Sequence, residues 1–228
     1  MKHSISVVCP AWQAASTLSD TLASVRAQIL PPDEILVVND GSTDDTAKIA
    51  RAAGATVISR SHSGVAAALN TGIAASRGSL LAFIDADDLW PADKLAAQTR
   101  LLASDCNIAG VLGLMQLFIS PAIEAEAESR YRMPDDLQKA WVTGALLVHR
   151  GVFDAVGGFD EAIHAGFHVD WFDRGRRLGF DFAIPRRVVL LRRIAAGTLS
   201  HRSSLRDAGY ALMARRAIQR RRASQRRE

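Results

Sequence analysis

An α/β fold, with a mainly parallel central sheet and helices on both faces, is predicted by three features of this 228-residue sequence. Short, β-branched apolar runs alternate with helix-length segments through the first hundred residues, and each run ends at a turn signal. The spacing leaves room for a helical crossover between successive strands, which makes the strands parallel and the crossovers right-handed.

The first strand covers residues 5–9 and ends at Pro10; residues 16–28 then carry Leu18, Leu22 and Val25 at helical spacing, with Ser16 placed as a cap. The run EILVV repeats the strand signal up to Asn39, and GSTDDTAKIARAAG reads as a turn, a helix start capped by Ser42 or Thr43, and a stop at Gly54. ATVIS is a third strand, residues 65–76 form a small-residue helix broken at Gly78, and LLAFI is a fourth strand running into Asp85. Pro91 suits the first turn of the next helix. The pattern changes at Asn107. One long apolar run leads into SPAIEAEAESRYRMPDD, an irregular excursion with Pro121 and Pro134; then come WVTGALLVHR, a glycine-rich turn GVFDAVGGFDE, a helix HVDWFDRGRRLG and a last strand FAIPRRVVLL. These pieces are expected to complete the same sheet, giving a single domain over residues 1–200 and a basic helical tail over 201–228.

With 48% hydrophobic and 23% charged residues the composition is that of an ordinary globular chain, not a disordered one. Cys9 and Cys106 lack metal-ligand spacing and read as two buried thiols in a reducing compartment. The opening MKHSISVVCP lacks the apolar core and cleavage site of a signal peptide, and no run approaches the roughly 18 apolar residues of a membrane span. A cytoplasmic protein is expected. The net charge of +4 hides an asymmetry, because arginines crowd the last third while the acidic motifs lie in the first half.

In an open parallel sheet, ligands bind beyond the carboxyl ends of the strands. The predicted ends are Pro10 and Ala11, then Asn39 and Asp40, then Asp85, Asp87 and Asp88. Asp85 and Asp87 leave the chain on one side if strand geometry persists, and two such carboxylates repel unless a cation sits beside them. A magnesium or manganese ion completed by water and phosphate oxygens accounts for the pair. A solvated acidic turn capping the next helix is the other reading of DADD, and NDGSTDDT likewise reads as either a ligand site or a plain turn and cap. A receiver domain or aspartyl phosphatase would place acids directly after the first strand, where this chain has Cys9, Pro10 and Ala11. A dinucleotide fold would need G-x-G-x-x-G there, and AWQAAS has no glycine.

These segments, in this order, resemble the family 2 glycosyltransferases, which have the GT-A fold: SVVCPAWQAASTLSDTLASVRAQ, PPDEILVVNDGSTDDT, LLAFIDADDLWPADKLAAQ and VTGALLVHRGVFDAVGGFDE. The resemblance reaches to about Leu191. It implies a donor half over about 1–105, an acceptor half over about 106–200, and inversion at the anomeric carbon. A metal-bound nucleoside diphosphate, with UDP as the expected nucleotide, would leave as an acceptor hydroxyl attacks. Pro10, Ala11, Asn39 and Asp40 would line the nucleoside, Asp85 the ribose and phosphates, and Asp87 would hold the metal. The acceptor would be a glycan, a lipid-linked sugar or a small molecule. Two departures stand out. The family's catalytic Asp aligns with His168, leaving His168 or Asp170 as base, and a late Arg-x-His is replaced by Ala195, with His201 out of register. A nucleotide-sugar-binding protein without turnover is the alternative reading.

The tail from Arg202 is arginine-dense, with Leu205, Ala208, Leu212 and Ile218 as a weak apolar stripe. It reads as a solvated helix or as a peripheral contact with an anionic membrane face. Aromatics for stacking on bases are nearly absent, so specific nucleic-acid recognition is not expected.

Overall fold

The computed structural model describes residues 3–120 and 137–194. The excursion at 121–136, Ala195, His201 and the basic tail lie outside the described residues.

Strands β1 (Ile5–Ala11), β2 (Glu34–Asp40), β3 (Thr56–Arg60) and β4 (Leu80–Phe83) are parallel and lie in the order β3-β2-β1-β4. Helices α1 (Leu18–Arg26), α2 (Thr46–Ala52) and α3 (Val65–Ala75) are the crossovers. Beyond β4 the sheet continues with β8 (Leu147–His149), antiparallel, then β5 (Ile108–Val111) and β9 (Asp181–Ala183). Val7, Val8, Val37, Val38 and all of β4 are buried, as strands covered on both faces require. α3 packs so closely on β1 that a Cβ at Gly72 would stand 2.3 Å from Val8 Cγ1. β1 runs through Pro10, its expected end; pairing with β4 stops at Val8, so the missing N–H of Pro10 leaves no acceptor on that side unmet.

A second, three-stranded sheet corrects the expectation of one sheet. The long apolar run divides into β5 and β6 (Leu114–Ile119), and the last predicted strand divides into β9 and β10 (Val188–Ile194). β6 and β10 pair in parallel, with β7 (Gln138–Lys139) beyond β6. Gly113 permits the first division, because a Cβ there would lie 2.6 Å from Val189 Cγ2; Pro185, which cannot donate to a ladder, marks the second. The presumed turn after Arg150 contains a seven-residue helix, α5 (Arg150–Val156). The caps also differ: α1 starts after Thr17 and α2 after Asp45, neither with a side-chain cap bond, whereas Asp44 accepts from the Thr46 backbone N–H at 3.1 Å. Of the cysteines only Cys9 is buried; Cys106 is exposed. Among the described residues no helix is long and apolar enough to cross a membrane.

Helix α4 (Lys94–Ser104) carries a buried polar chain beneath the site. Lys94 Nζ lies 4.2 Å from the Trp90 ring centroid and donates to Gln98 Oε1 at 2.8 Å. Gln98 Nε2 in turn donates to the carbonyls of Val111, Leu112 and Ala145. Burial pushes Lys94 well below its ordinary value of 10.5. Between that lowered value and 10.5 the unfolded chain binds a proton that the folded one releases, so stability climbs as pH rises through that window. Lys94→Met is expected to raise the melting temperature at pH 7 by about 3 °C, the shift that roughly 1 kcal/mol produces at this size. Thermal unfolding should show that advantage shrinking at alkaline pH; an advantage independent of pH would contradict the account.

Candidate active site

Asp85 to Asp88 form a tight turn just past β4, closed by the Asp88 N–H donating to the Asp85 carbonyl at 3.1 Å. Strand geometry stops at Phe83, yet the alternation holds: Ile84, Ala86 and Asp88 are buried, while Asp85 and Asp87 keep partial exposure. Three elements hold the turn. Thr17 and Thr21 of the α1 side donate their hydroxyls to the Ala86 carbonyl at 2.9 and 3.0 Å. Leu89 and Leu191 exchange both backbone hydrogen bonds, at 2.9 and 2.8 Å. Arg193 donates its N–H to Asp88 Oδ1 at 3.0 Å and its Nε–H to the Asp87 carbonyl at 2.8 Å, and its guanidinium pairs with Asp20.

Burial, then the charge of Asp87, pushes the Asp85 carboxyl up to about 6. Burial also raises Asp87, and burial with the charges of Asp85 and Asp87 raises Asp88 well above its usual range. Arg192 works against all three shifts. Cys9 lies within the same field, which adds to burial in holding its thiol protonated.

The donor-side residues read from the sequence are brought to this edge, largely as framework. Pro10 and Ala11 are buried within β1, and Ala11 pairs with Asn39, whose Oδ1 accepts from the Ser42 N–H at 3.1 Å. Asp40 is buried; it accepts from the N–H groups of Ser63 and Gly64 and pairs with Arg60 at 3.3 Å and His62 at 2.9 Å. It thereby fixes the loop that opens α3. Ser42, Thr43, Asp44 and Thr46 bind the loop at Gln13, Ala14 and Ala15, so this segment zips two loops together. The side chain presented outward is one the sequence reading passed over: Trp12, 47% exposed, stacks on His62 with ring centroids 4.8 Å apart. A large aromatic directly after the strand-end Pro10-Ala11 pair was the available signal.

Helix α6 (Phe167–Arg177) carries His168 in its first turn. Its aromatic face anchors it. Trp171, fully buried, stacks on Phe153 at 4.4 Å and donates its Nε1–H to the Gly157 carbonyl at 2.9 Å. Burial and the charge of Arg192 hold the His168 imidazole down at about 4, so it is neutral at pH 7. Asp170 faces inward, where Oδ2 accepts from Arg174 Nε at 2.9 Å, and Arg174 reaches on to the Val156 and Gly158 carbonyls. Its carboxylate braces α6 against that turn.

Among the described residues no three His, Cys, Asp or Glu side chains are arranged as a metal centre. The acidic turn offers less and different chemistry: one or two hard carboxylate oxygens, from Asp87 and Asp85, with the rest of a shell left to water and phosphate oxygens. That donor set suits magnesium or manganese. Burial is the leading cause of the raised carboxyls, and the charge of Asp87 on Asp85, and of both on Asp88, adds to it.

Residues 6–118 match a family model described as Glycosyl transferase family 2. The glycosyltransferase AglE of Haloferax volcanii is 29% identical over 200 residues, 81% of this chain and 65% of the relative. An Escherichia coli relative, UDP-Glc:alpha-D-GlcNAc-diphosphoundecaprenol beta-1,3-glucosyltransferase WfgD, is 29% identical over 123 residues, 52% of this chain and 48% of the relative. The solved mannosyltransferase PcManGT of Pyrobaculum calidifontis, in complex with GDP-Man and Mn2+, superposes with a TM-score of 0.71 at 23% identity, covering 96% of this chain and 65% of that one. S. aureus TarS 1-349 with UDP-GlcNAc gives 0.69 at 15% identity, over 86% and 60%. The chain thus spans about half to two thirds of the length of these proteins.

Proposed function

Since the chain belongs to glycosyl transferase family 2 through residues 6–118 and has the GT-A fold, we propose that it transfers a sugar, with inversion, from a nucleoside diphosphate sugar to an acceptor hydroxyl. The observation that carries this is the pair of part-exposed carboxylates, Asp85 and Asp87, on a turn held rigid from α1 and β10 at the carboxyl edge of the sheet.

In this reading Trp12 with His62 forms the wall for the nucleobase, and the loops fixed by Asn39 and Asp40 shape its pocket. Asp85 faces the ribose and phosphates, and Asp87 holds a manganese or magnesium ion. When bound, that ion supplies positive charge to the departing diphosphate. The acceptor oxygen forms its bond to the anomeric carbon as the bond from that carbon to the diphosphate oxygen breaks. The electron pair leaves with the diphosphate, and the acceptor proton passes to His168. The Arg174 bond to Asp170 favours His168 as the base and gives Asp170 a bracing role. UDP-sugars are the first donors to assay and GDP-sugars the second, since structural neighbours were solved with each. The acceptor is a glycan, lipid-linked sugar or small-molecule hydroxyl, and the arginine-rich tail supplies a peripheral contact with an anionic membrane.

A panel of nucleotide sugars, screened by thermal shift with and without manganese and then by transfer, tests the proposal; failure of every donor to bind rejects it. His168→Ala is expected to lower turnover by about 10²- to 10⁴-fold. An imidazole held at about 4 is available as a base above that pH. His168 should therefore depress the wild-type rate only as its ring protonates near 4, whereas a fall beginning near 6 belongs to protonation of the Asp85 carboxyl. Full turnover in His168→Ala would remove His168 from the mechanism. The low basicity of His168 also supports the second reading, a donor-binding protein without turnover, which donor binding with no measurable transfer would favour.

A further inference from the structure

β10 carries two adjacent arginines with opposite fates. Successive side chains on a strand leave on opposite faces, and Arg193 is spent on Asp20, the Asp87 carbonyl and the Phe118 ring. Arg192 is half-buried, its backbone lies in the ladder with β6, and its guanidinium has no hydrogen-bond or ion-pair partner among the described residues. Its place is nonetheless fixed, because Leu191 before it is bonded in both directions to Leu89 and Arg193 after it is bonded to Asp88. Its charge acts on Asp85, Asp87 and Asp88 and also on His168.

A guanidinium has five N–H donors in a planar fork and stays charged in any protein. Half-buried beside three carboxylates that it does not engage, it is matched by an anion with several oxygens arriving over the acidic turn. Phosphate oxygens meet such a fork in bidentate fashion. We propose that Arg192 binds the diphosphate of the donor and retains it as the leaving group, at the junction between the acidic turn and His168. This rests on the transfer reading above and adds a residue to it.

The test compares the affinities of UDP and GDP with those of uridine and guanosine, by calorimetry in manganese chloride, for wild type, Arg192→Ala and Arg192→Lys. A charge-assisted contact predicts that Arg192→Ala binds the better diphosphate about 10- to 100-fold more weakly. Nucleoside binding should stay within about twofold, and Arg192→Lys should fall between, keeping the charge but losing the fork. Donor KM should rise with the diphosphate Kd, a response that a purely structural role would not separate from nucleoside binding. If Arg192→Ala does not fold, Arg192→Gln is read in the same way. An unchanged ratio of diphosphate to nucleoside affinity overturns this inference alone. Failure of the wild type to bind either diphosphate overturns the transfer reading and this inference with it.

Discussion

Asp87→Asn is expected to reduce sugar transfer by about 10³-fold or more, the scale on which preorganised charge stabilisation of a leaving group is lost, while leaving the protein at least as stable. The two effects have one cause. Asp87 sits in a turn where burial already raises its carboxyl and those of Asp85 and Asp88. Removing one of three neighbouring carboxylates relieves repulsion when no metal is bound. The amide preserves shape, and the turn keeps its anchors, because Thr17, Thr21 and Arg193 bind the backbone carbonyls of Ala86 and Asp87, not the Asp87 carboxylate. Stability without metal should therefore hold or rise, whereas the thermal shift produced by manganese with nucleoside diphosphate should disappear. Turnover and paired melting curves measure both. A variant that loses activity only by losing stability would make Asp87 a structural residue, and one that keeps activity would remove it from the site.

Trp171→Ala is expected to destabilise the fold by about 3–5 kcal/mol, the range for truncating a large buried aromatic side chain. The ring is fully buried, stacks on Phe153 and lies within 6 Å of Phe159, Phe172 and Phe182, measured between ring centroids. Its indole N–H satisfies the Gly157 carbonyl, which the truncation would leave without that donor. The loss concerns function because Trp171 is one turn beyond His168 on α6. Denaturant unfolding should show the midpoint falling, and turnover should fall at temperatures where the wild type is intact. Trp171→Phe, keeping the stack but not the N–H, should recover more than half of the difference. A change below about 1 kcal/mol in Trp171→Ala would mean that the neighbouring rings close the cavity.

The parallel half of the sheet was readable because β1, β2 and β4 are largely buried on both faces and so appear as near-continuous apolar runs, while β3, at the sheet edge and more exposed, is still a short β-branched run. The family was readable for a related reason, since its motifs lie in short segments at strand ends and keep their order. β6 and β10 carry equally apolar residues, but nothing local distinguishes pairing with one another from joining the large sheet. That choice rests on a turn at Gly113 and a break at Pro185, separated by more than seventy residues.

The acidic turn shows the same division within the site. Position after an apolar strand was enough to single out Asp85 and Asp87, because a strand direction and a period of two are properties of the local chain. Which polar groups remain for a ligand was not a local property. Asp40 and Asn39 look as available in the sequence as Asp87, yet the fold gives their oxygens to backbone N–H groups of neighbouring loops. Arg192 and Arg193 are adjacent and chemically identical, and only the pairing of Leu191 with Leu89 decides which guanidinium is consumed in holding the turn and which is not. Sequence by itself determined the alternating elements of the first hundred residues and the strand ends at which polar groups gather; tertiary structure alone decided which of those groups are already spent, because a hydrogen bond made within the fold is not available to a substrate.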